Sequence, residues 1–261
     1  MQPTTLGPNL TGAAVSPAAV QAMSEAAETL TPFTDIDTSE MEAHRLRSIN
    51  EAEALGSVPM PPSVKGAVKA GAAKIRGGNP TVFLDKLGER LAYERTGTRL
   101  YEALILKYRA VEAVSEEPLP RAAATAGDSE SGTESPAQTL ERIRAEELSH
   151  FQLLCAAMEK MGADPTAQTP CADVSAVAAS GFMQVLNDPR TTLAQCLNTM
   201  LAVELADNAG WEMLAALADE AGQSELAGQF LGALAQEQDH VTIIKSWLTA
   251  LVSGEAQAAA V

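Results

Sequence analysis

The sequence predicts an all-α protein. Four long helices pack as a bundle of two helical hairpins joined by a long crossover, with an N-terminal arm ahead of them. Three observations lead there. From about residue 81 onward, apolar residues recur at alternating steps of three and four, the period of one helix face. Helix-starting and helix-stopping residues bracket four long segments. Hydrophobic residues make up 46% of the 261 positions but aromatics only 4%, so the core is mostly Ala, Leu, Val and Met. That mixture suits close-packed helices better than a sheet.

Residues 1–80 differ in texture, being rich in Ala, Pro, Ser and Thr, with Pro59-Met60-Pro61-Pro62 and Gly77-Gly78 near the end. They read as a partly flexible arm with short helices, one around 38–55 and another over 63–76. The first long helix is expected over about 81–113, followed by a flexible Ser/Gly/Glu/Ala-rich loop, 115–134. The second spans about 136–161, because Ser135, Pro136 and Gln138 read as N-cap, first helical residue and capping-box partner. A long connection, 163–188, carries its own helix after Thr169-Pro170. The third is expected over about 189–220 behind Asp188-Pro189, and the fourth over about 224–252 after a tight turn. Gly162, Gly222 and Gly254 sit just past helix ends, where a left-handed residue is wanted. The bundle therefore occupies 81–252, and 253–261 is a tail.

Charge narrows the function. Eighteen Lys and Arg against 34 Asp and Glu give a net charge of −16. Such a chain lacks the basic excess that nucleic acid and anionic membrane surfaces attract. No apolar run reaches membrane-spanning length. Cys155, Cys171 and Cys196 form no C-x-x-C pair, which excludes a zinc ribbon, a rubredoxin-type iron site and a thioredoxin motif. These cysteines read as small core residues. The opening Met1-Gln2-Pro3-Thr4-Thr5 lacks the basic start of a secretory signal, so a cytoplasmic protein is expected.

The helix seams carry the chemistry. The first reads Leu84, Leu87, Leu91, Glu94, Thr98, Tyr101, Ile105 and Tyr108. The second reads Leu140, Ile143, Glu147, His150, Leu154, Ala157 and Met161. The third reads Leu193, Leu197, Met200, Glu204, Asp207, Trp211, Leu214 and Ala218. The fourth reads Leu226, Phe230, Ala233, Glu237, His240, Ile244, Trp247 and Leu251. Each is apolar at both ends and acidic or His-bearing in the middle. Carboxylates gathered in a dry core repel one another unless a counter-charge is supplied, and two divalent cations supply it.

Spacing sharpens this. Glu147-Leu148-Ser149-His150 and Glu237-Gln238-Asp239-His240 are both E-x-x-H. Three residues turn a helix by about 300° and raise it about 4.5 Å, so both side chains leave one face and can grip one ion. Oxygen and imidazole ligands suit iron, manganese or zinc.

The order Glu94, Glu147-x-x-His150, Glu204, Glu237-x-x-His240 resembles the di-iron carboxylate sites of the ferritin-like superfamily, a pattern established for di-iron bundles in general. Tyr93-Glu94 with Tyr101 seven residues on is most similar to rubrerythrin-like proteins. The resemblance implies two iron ions, with Glu94 and Glu204 as terminal ligands, Glu147 and Glu237 bridging, and His150 and His240 each on one metal. It implies Glu146 and Gln236 as hydrogen-bond partners of the opposing His, and Asp207 as an alternate ligand or partner of a bound water. Tyr101 is implied as a donor to Glu204 or as an electron carrier.

The chemistry this resemblance implies is reaction with O2 or peroxide, as a ferroxidase or small-molecule oxidase. Re-reduction requires an external electron donor, because the rubredoxin-like domain of full rubrerythrins has no counterpart in these residues. The small residues Gly97, Thr98 and Ala233 leave room for a small oxidant. With no separate fifth helix after the bundle, a homodimer is expected rather than a 24-subunit cage. The contrasting expectation is a metal-binding structural bundle without turnover.

Overall fold

The computed structural model describes residues 7, 11–31, 37–62, 80–115, 118–121 and 134–258. Among them it is all-helical, with no strand. The helices are α1 (Pro17–Leu30), α2 (Ser39–Glu51), α3 (Pro80–Glu112), α4 (Pro136–Met161), α5 (Pro170–Asn187), α6 (Leu193–Glu220) and α7 (Ser224–Ala258). The chain divides between Ala54 and Leu55 into two compact units. The first holds α1 and α2, which bury no side chain. No helix among the described residues is long and apolar enough to cross a membrane.

In the second unit the four long helices touch in a ring: α3 against α4, α4 against α7, α7 against α6, and α6 against α3. The crossover helix α5 packs outside, on α3 and α6. Two apolar clusters fill the ring. One gathers Leu100, Leu104, Leu140, Ile143, Leu197, Met200, Ile244 and Trp247 with their neighbours. The other gathers Leu87, Leu91, Leu154, Trp211, Leu214, Leu226 and Phe230. The middles of the four helices, between these clusters, carry the buried acids and histidines.

Local chemistry explains the ends. Ser135 Oγ accepts from Gln138 N and Gln138 Oε1 accepts from Ser135 N, a closed capping box with Pro136 behind it. Gly162 (φ 82°) and Gly222 (φ 68°) take the left-handed conformation that ends α4 and turns α6 into α7. Two expected boundaries are corrected. The third long helix starts at Leu193, not near 189. Asp188 closes α5 instead, and its carboxylate takes the Arg190 N–H (2.9 Å) and guanidinium. Thr192 and Gln195 form the actual capping box.

The last helix runs to Ala258 rather than stopping near 252. Gly254 lies inside it without positive φ, because a glycine ends a helix only where the chain turns left-handed, and Glu255, Ala256 and Gln257 are good helix formers. Helix α1 had no expected counterpart, α2 falls within the expected 38–55 stretch, and the 63–76 expectation lies outside the described residues. Part of the 115–134 loop is anchored: Leu119 is buried, and Trp247 Nε1 donates to Pro120 O at 2.8 Å.

The crossover is fixed at its start. Thr169 Oγ1 caps α5 and donates to Asp85 O (3.2 Å), and Cys171 N donates to Asp85 Oδ1 (2.9 Å). Gly88 permits this approach, since a Cβ there would lie 2.5 Å from Thr169 Cγ2 and 2.7 Å from Oγ1. Gly88→Ala gains up to about 1 kcal/mol of helix propensity but overpacks a capped junction, at about 1–3 kcal/mol. A net loss of stability is expected in urea denaturation; a more stable variant would contradict the packing described.

Candidate metal centre

Six predicted ligands meet in one buried layer. Helix α3 supplies Glu94, α4 supplies Glu147 and His150, α6 supplies Glu204, and α7 supplies Glu237 and His240; none is more than 2% exposed. Each lies on the seam of its helix, so apolar burial above and below draws the acids inward. Gly97 leaves space for the Glu147 carboxylate, with which any Cβ at that position would collide.

The acids and imidazoles form overlapping sets. Glu147, Glu204, Glu237 and His240 each offer one ligand atom within 4.8 Å of the others, as do Glu94, His150 and Glu237. A third set contains Glu94, Glu147, Asp207 and Glu237. His150 Nδ1 lies 2.7 Å from Glu237 Oε1 and 3.6 Å from Glu94 Oε2. His240 Nδ1 lies 3.2 Å from Glu237 Oε2, 3.5 Å from Glu147 Oε1 and 3.6 Å from Glu204 Oε2.

The far side of each ring is held by the opposite helix. Gln236 of α7 presents its amide oxygen 2.8 Å from His150 Nε2. Glu146 of α4 stands 2.8 Å from His240 Nε2 and accepts from Arg142 at 2.9 Å. Burial opposes ionisation of Glu146, yet His240 and Arg142 hold its carboxyl below the usual value. An ionised carboxylate and an amide oxygen are both acceptors, so each ring carries its proton on Nε2. In a neutral ring that leaves the Nδ1 lone pair facing the acid layer. Trp211 packs edge-on to His150, centroids 5.4 Å apart, and Tyr101 edge-on to His240 at 6.4 Å. The Tyr101 hydroxyl donates to Glu204 Oε1.

The unpaired atoms are informative. Both oxygens of Glu94, Glu147 Oε2, Glu204 Oε2, Glu237 Oε1 and His150 Nδ1 are buried without a hydrogen-bond partner. His150 Nδ1 and Glu237 Oε1 are 2.7 Å apart without forming a hydrogen bond. Buried polar atoms rarely go unsatisfied, and these six ligand atoms converge on one place; the others among the described residues, Arg90 Nε, Asn208 Nδ2 and Trp211 Nε1, are donors. This donor set fits divalent cations that accept oxygen and imidazole.

Without a cation the layer titrates abnormally. Burial pushes Glu204 up to about 7, although His240 and Tyr101 pull it back. Burial and Glu237 raise Glu147 well above the carboxylate range. Burial works against a charged His150, but Glu237 and Glu94 outweigh it and carry the ring up to about 10. Glu237 goes the other way, its two imidazole neighbours overcoming burial to bring it to about 2.

Asp207 is placed differently from the six. Its Oδ1 takes Arg90 Nη1 at 2.5 Å, and Arg90 is itself 4% exposed. The sequence reading missed Arg90, which lies off the Leu87–Leu91–Glu94 seam. The available signal was its spacing of four from Glu94 and the glycine three residues after Asp207, which opens a berth for a guanidinium.

Family models, curated proteins and solved structures were all compared with the chain, and none matches it.

The metal-free protein should lose stability as pH rises. The fold favours protonated Glu204, so stability falls from pH 4.5 through about 7; the contribution of His150 is full below 6.5 and fades through about 10. The gain from Glu237 is complete by about pH 5. In excess chelator, melting temperatures at pH 5, 7 and 9 should fall in that order; a rise across the series would contradict the site as described.

Proposed function

We propose that the chain is a di-iron carboxylate protein of the ferritin and rubrerythrin type, on a ferritin-like four-helix bundle whose hairpins α3–α4 and α6–α7 are joined through α5. The observation that carries the reading is the convergence of orphaned buried ligand atoms from four helices onto one layer. The ring of helix contacts and the crossover helix support the topology.

In this reading Glu94 and His150 would hold one ion and Glu204 and His240 the other; Glu237 belongs to both sets, and Glu147, within reach of Glu94 as well as of Glu204, would be shared as the resemblance implies. When bound, two adjacent ferrous ions supply electrons to O2 or peroxide, with iron itself or a small organic molecule as substrate. The protein's part is positional. Gln236 and Glu146 fix both imidazoles with Nδ1 inward, Gly97 admits Glu147, and Tyr101 holds one oxygen of Glu204. The apolar layers on either side exclude bulk water. Manganese or zinc fits the same donors. An external reductant completes any cycle, and a cytoplasmic setting suits the three free thiols.

The apolar sealing of the layer also favours a second reading, in which the ions stabilise the fold without turnover. Fe²⁺ protein indifferent to O2 and H2O2, with a melting temperature lowered by chelation, would select it.

Anaerobic titration should find about two Fe²⁺ per chain, as the ligand count of such bundles implies. Changing His150 or His240 to Ala should remove about one ion or weaken binding roughly 10–100-fold. Full occupancy in the double variant would overturn the proposal.

A further inference from the structure

The Arg90–Asp207 pair calls for an explanation of its own. It sits at the edge of the acid layer, and Asp207 lies within ligand reach of Glu94, Glu147 and Glu237. A buried ion pair contributes little net stability, since its desolvation cost offsets its attraction, and an apolar pair of similar volume serves a core as well.

The berth of Arg90 is built in detail. Nη1 reaches Asp207 Oδ1 at 2.5 Å and Asp207 O at 3.3 Å. The guanidinium lies over the Tyr93 ring, 4.1 Å from its centroid, and the Tyr93 hydroxyl is tied to Val203 O at 3.0 Å. Gly210 opens the space: a Cβ there would strike Arg90 Nη1 and stand 2.7 Å from Cζ. Outside lies a cavity of about 170 Å³ lined by Lys86, Glu89, Ala206, Ala209 and Met213.

Charge says what the pair does. Four glutamates balance two divalent cations. Asp207 adds one further negative charge to the layer, and Arg90 cancels it. We infer that Arg90 is a positioning residue which withholds Asp207 from the bound cations, so that the centre keeps six protein ligands and a coordination position open beside Asp207. The inference rests on the di-metal reading above. With Arg90 gone or displaced, the Asp207 carboxylate is a buried anion beside two cations, and coordination is its cheapest partner.

Co²⁺ is the probe, because its visible bands weaken as coordination approaches six. The full chain, stripped and reloaded with Co²⁺, is compared with Arg90→Gln, Gly210→Ala, and Arg90→Gln combined with Asp207→Asn. Gly210→Ala keeps every charge and suits a helix, so it covers the case in which Arg90→Gln folds poorly. Both single variants should show weaker visible bands and hold Co²⁺ roughly tenfold more tightly or better against a chelator. The double variant, with no spare carboxylate, should return to the native spectrum. Native-like spectra and affinities in both single variants overturn the inference while about two bound Co²⁺ leave the di-metal reading standing. A native protein that takes up no Co²⁺ overturns both.

Discussion

Repulsion between buried carboxylates governs this molecule. Glu94, Glu147, Glu204, Glu237 and Asp207 lie in one layer, and of these Asp207 is the one paired with an arginine. Water cannot screen them there. Two histidines carrying protons offset part of the charge: the imidazoles depress Glu237, while Glu237 and Glu94 raise His150. A histidine so protonated has no lone pair left to bind anything. Divalent cations in the same layer would relieve both problems: the protons would leave Nδ1, and the orphaned oxygens would have a positive charge to face.

The rest of the fold serves that layer. Separate apolar clusters lie on its two sides, and each of the four long helices contributes to both, so the helices cannot slide without exposing one cluster or the other. The imidazoles are braced across the helix pair: α7 holds the ring of α4 through Gln236, and α4 holds the ring of α7 through Glu146. This reciprocity makes the α4–α7 contact an orienting device, although α7 packs far more closely with its hairpin partner α6. Arg142, anchored in turn to Glu134, carries the bracing to the surface.

Much of this was legible in the sequence because helix periodicity is a strong constraint. All the seam positions are buried except Thr98, Met161 and Leu251, which are half-buried. The acids could be located because a carboxylate at an apolar position is conspicuous. The capping box at Ser135 was readable for the same local reason, while Asp188-Pro189 misled: an Asp before Pro can end one helix as readily as begin another, and Thr192 with Gln195 offered the better cap. Gly254 misled because a glycine does not act as a stop where the following residues favour helix. Arg90 was harder to find, because its burial depends on a partner 117 positions away and on a missing side chain at Gly210. Helix α1 buries none of its side chains, so no packed seam set it apart from the rest of the arm.

The central claim is that this layer holds two cations between four helices. Anomalous diffraction from crystals of the iron-loaded protein, collected at the iron edge, tests it most directly. The account predicts two peaks inside the layer, one beside His150 and Glu94, the other beside His240 and Glu204, with Glu237 reaching both. A layer without anomalous density, with iron only at surface carboxylates, would contradict it.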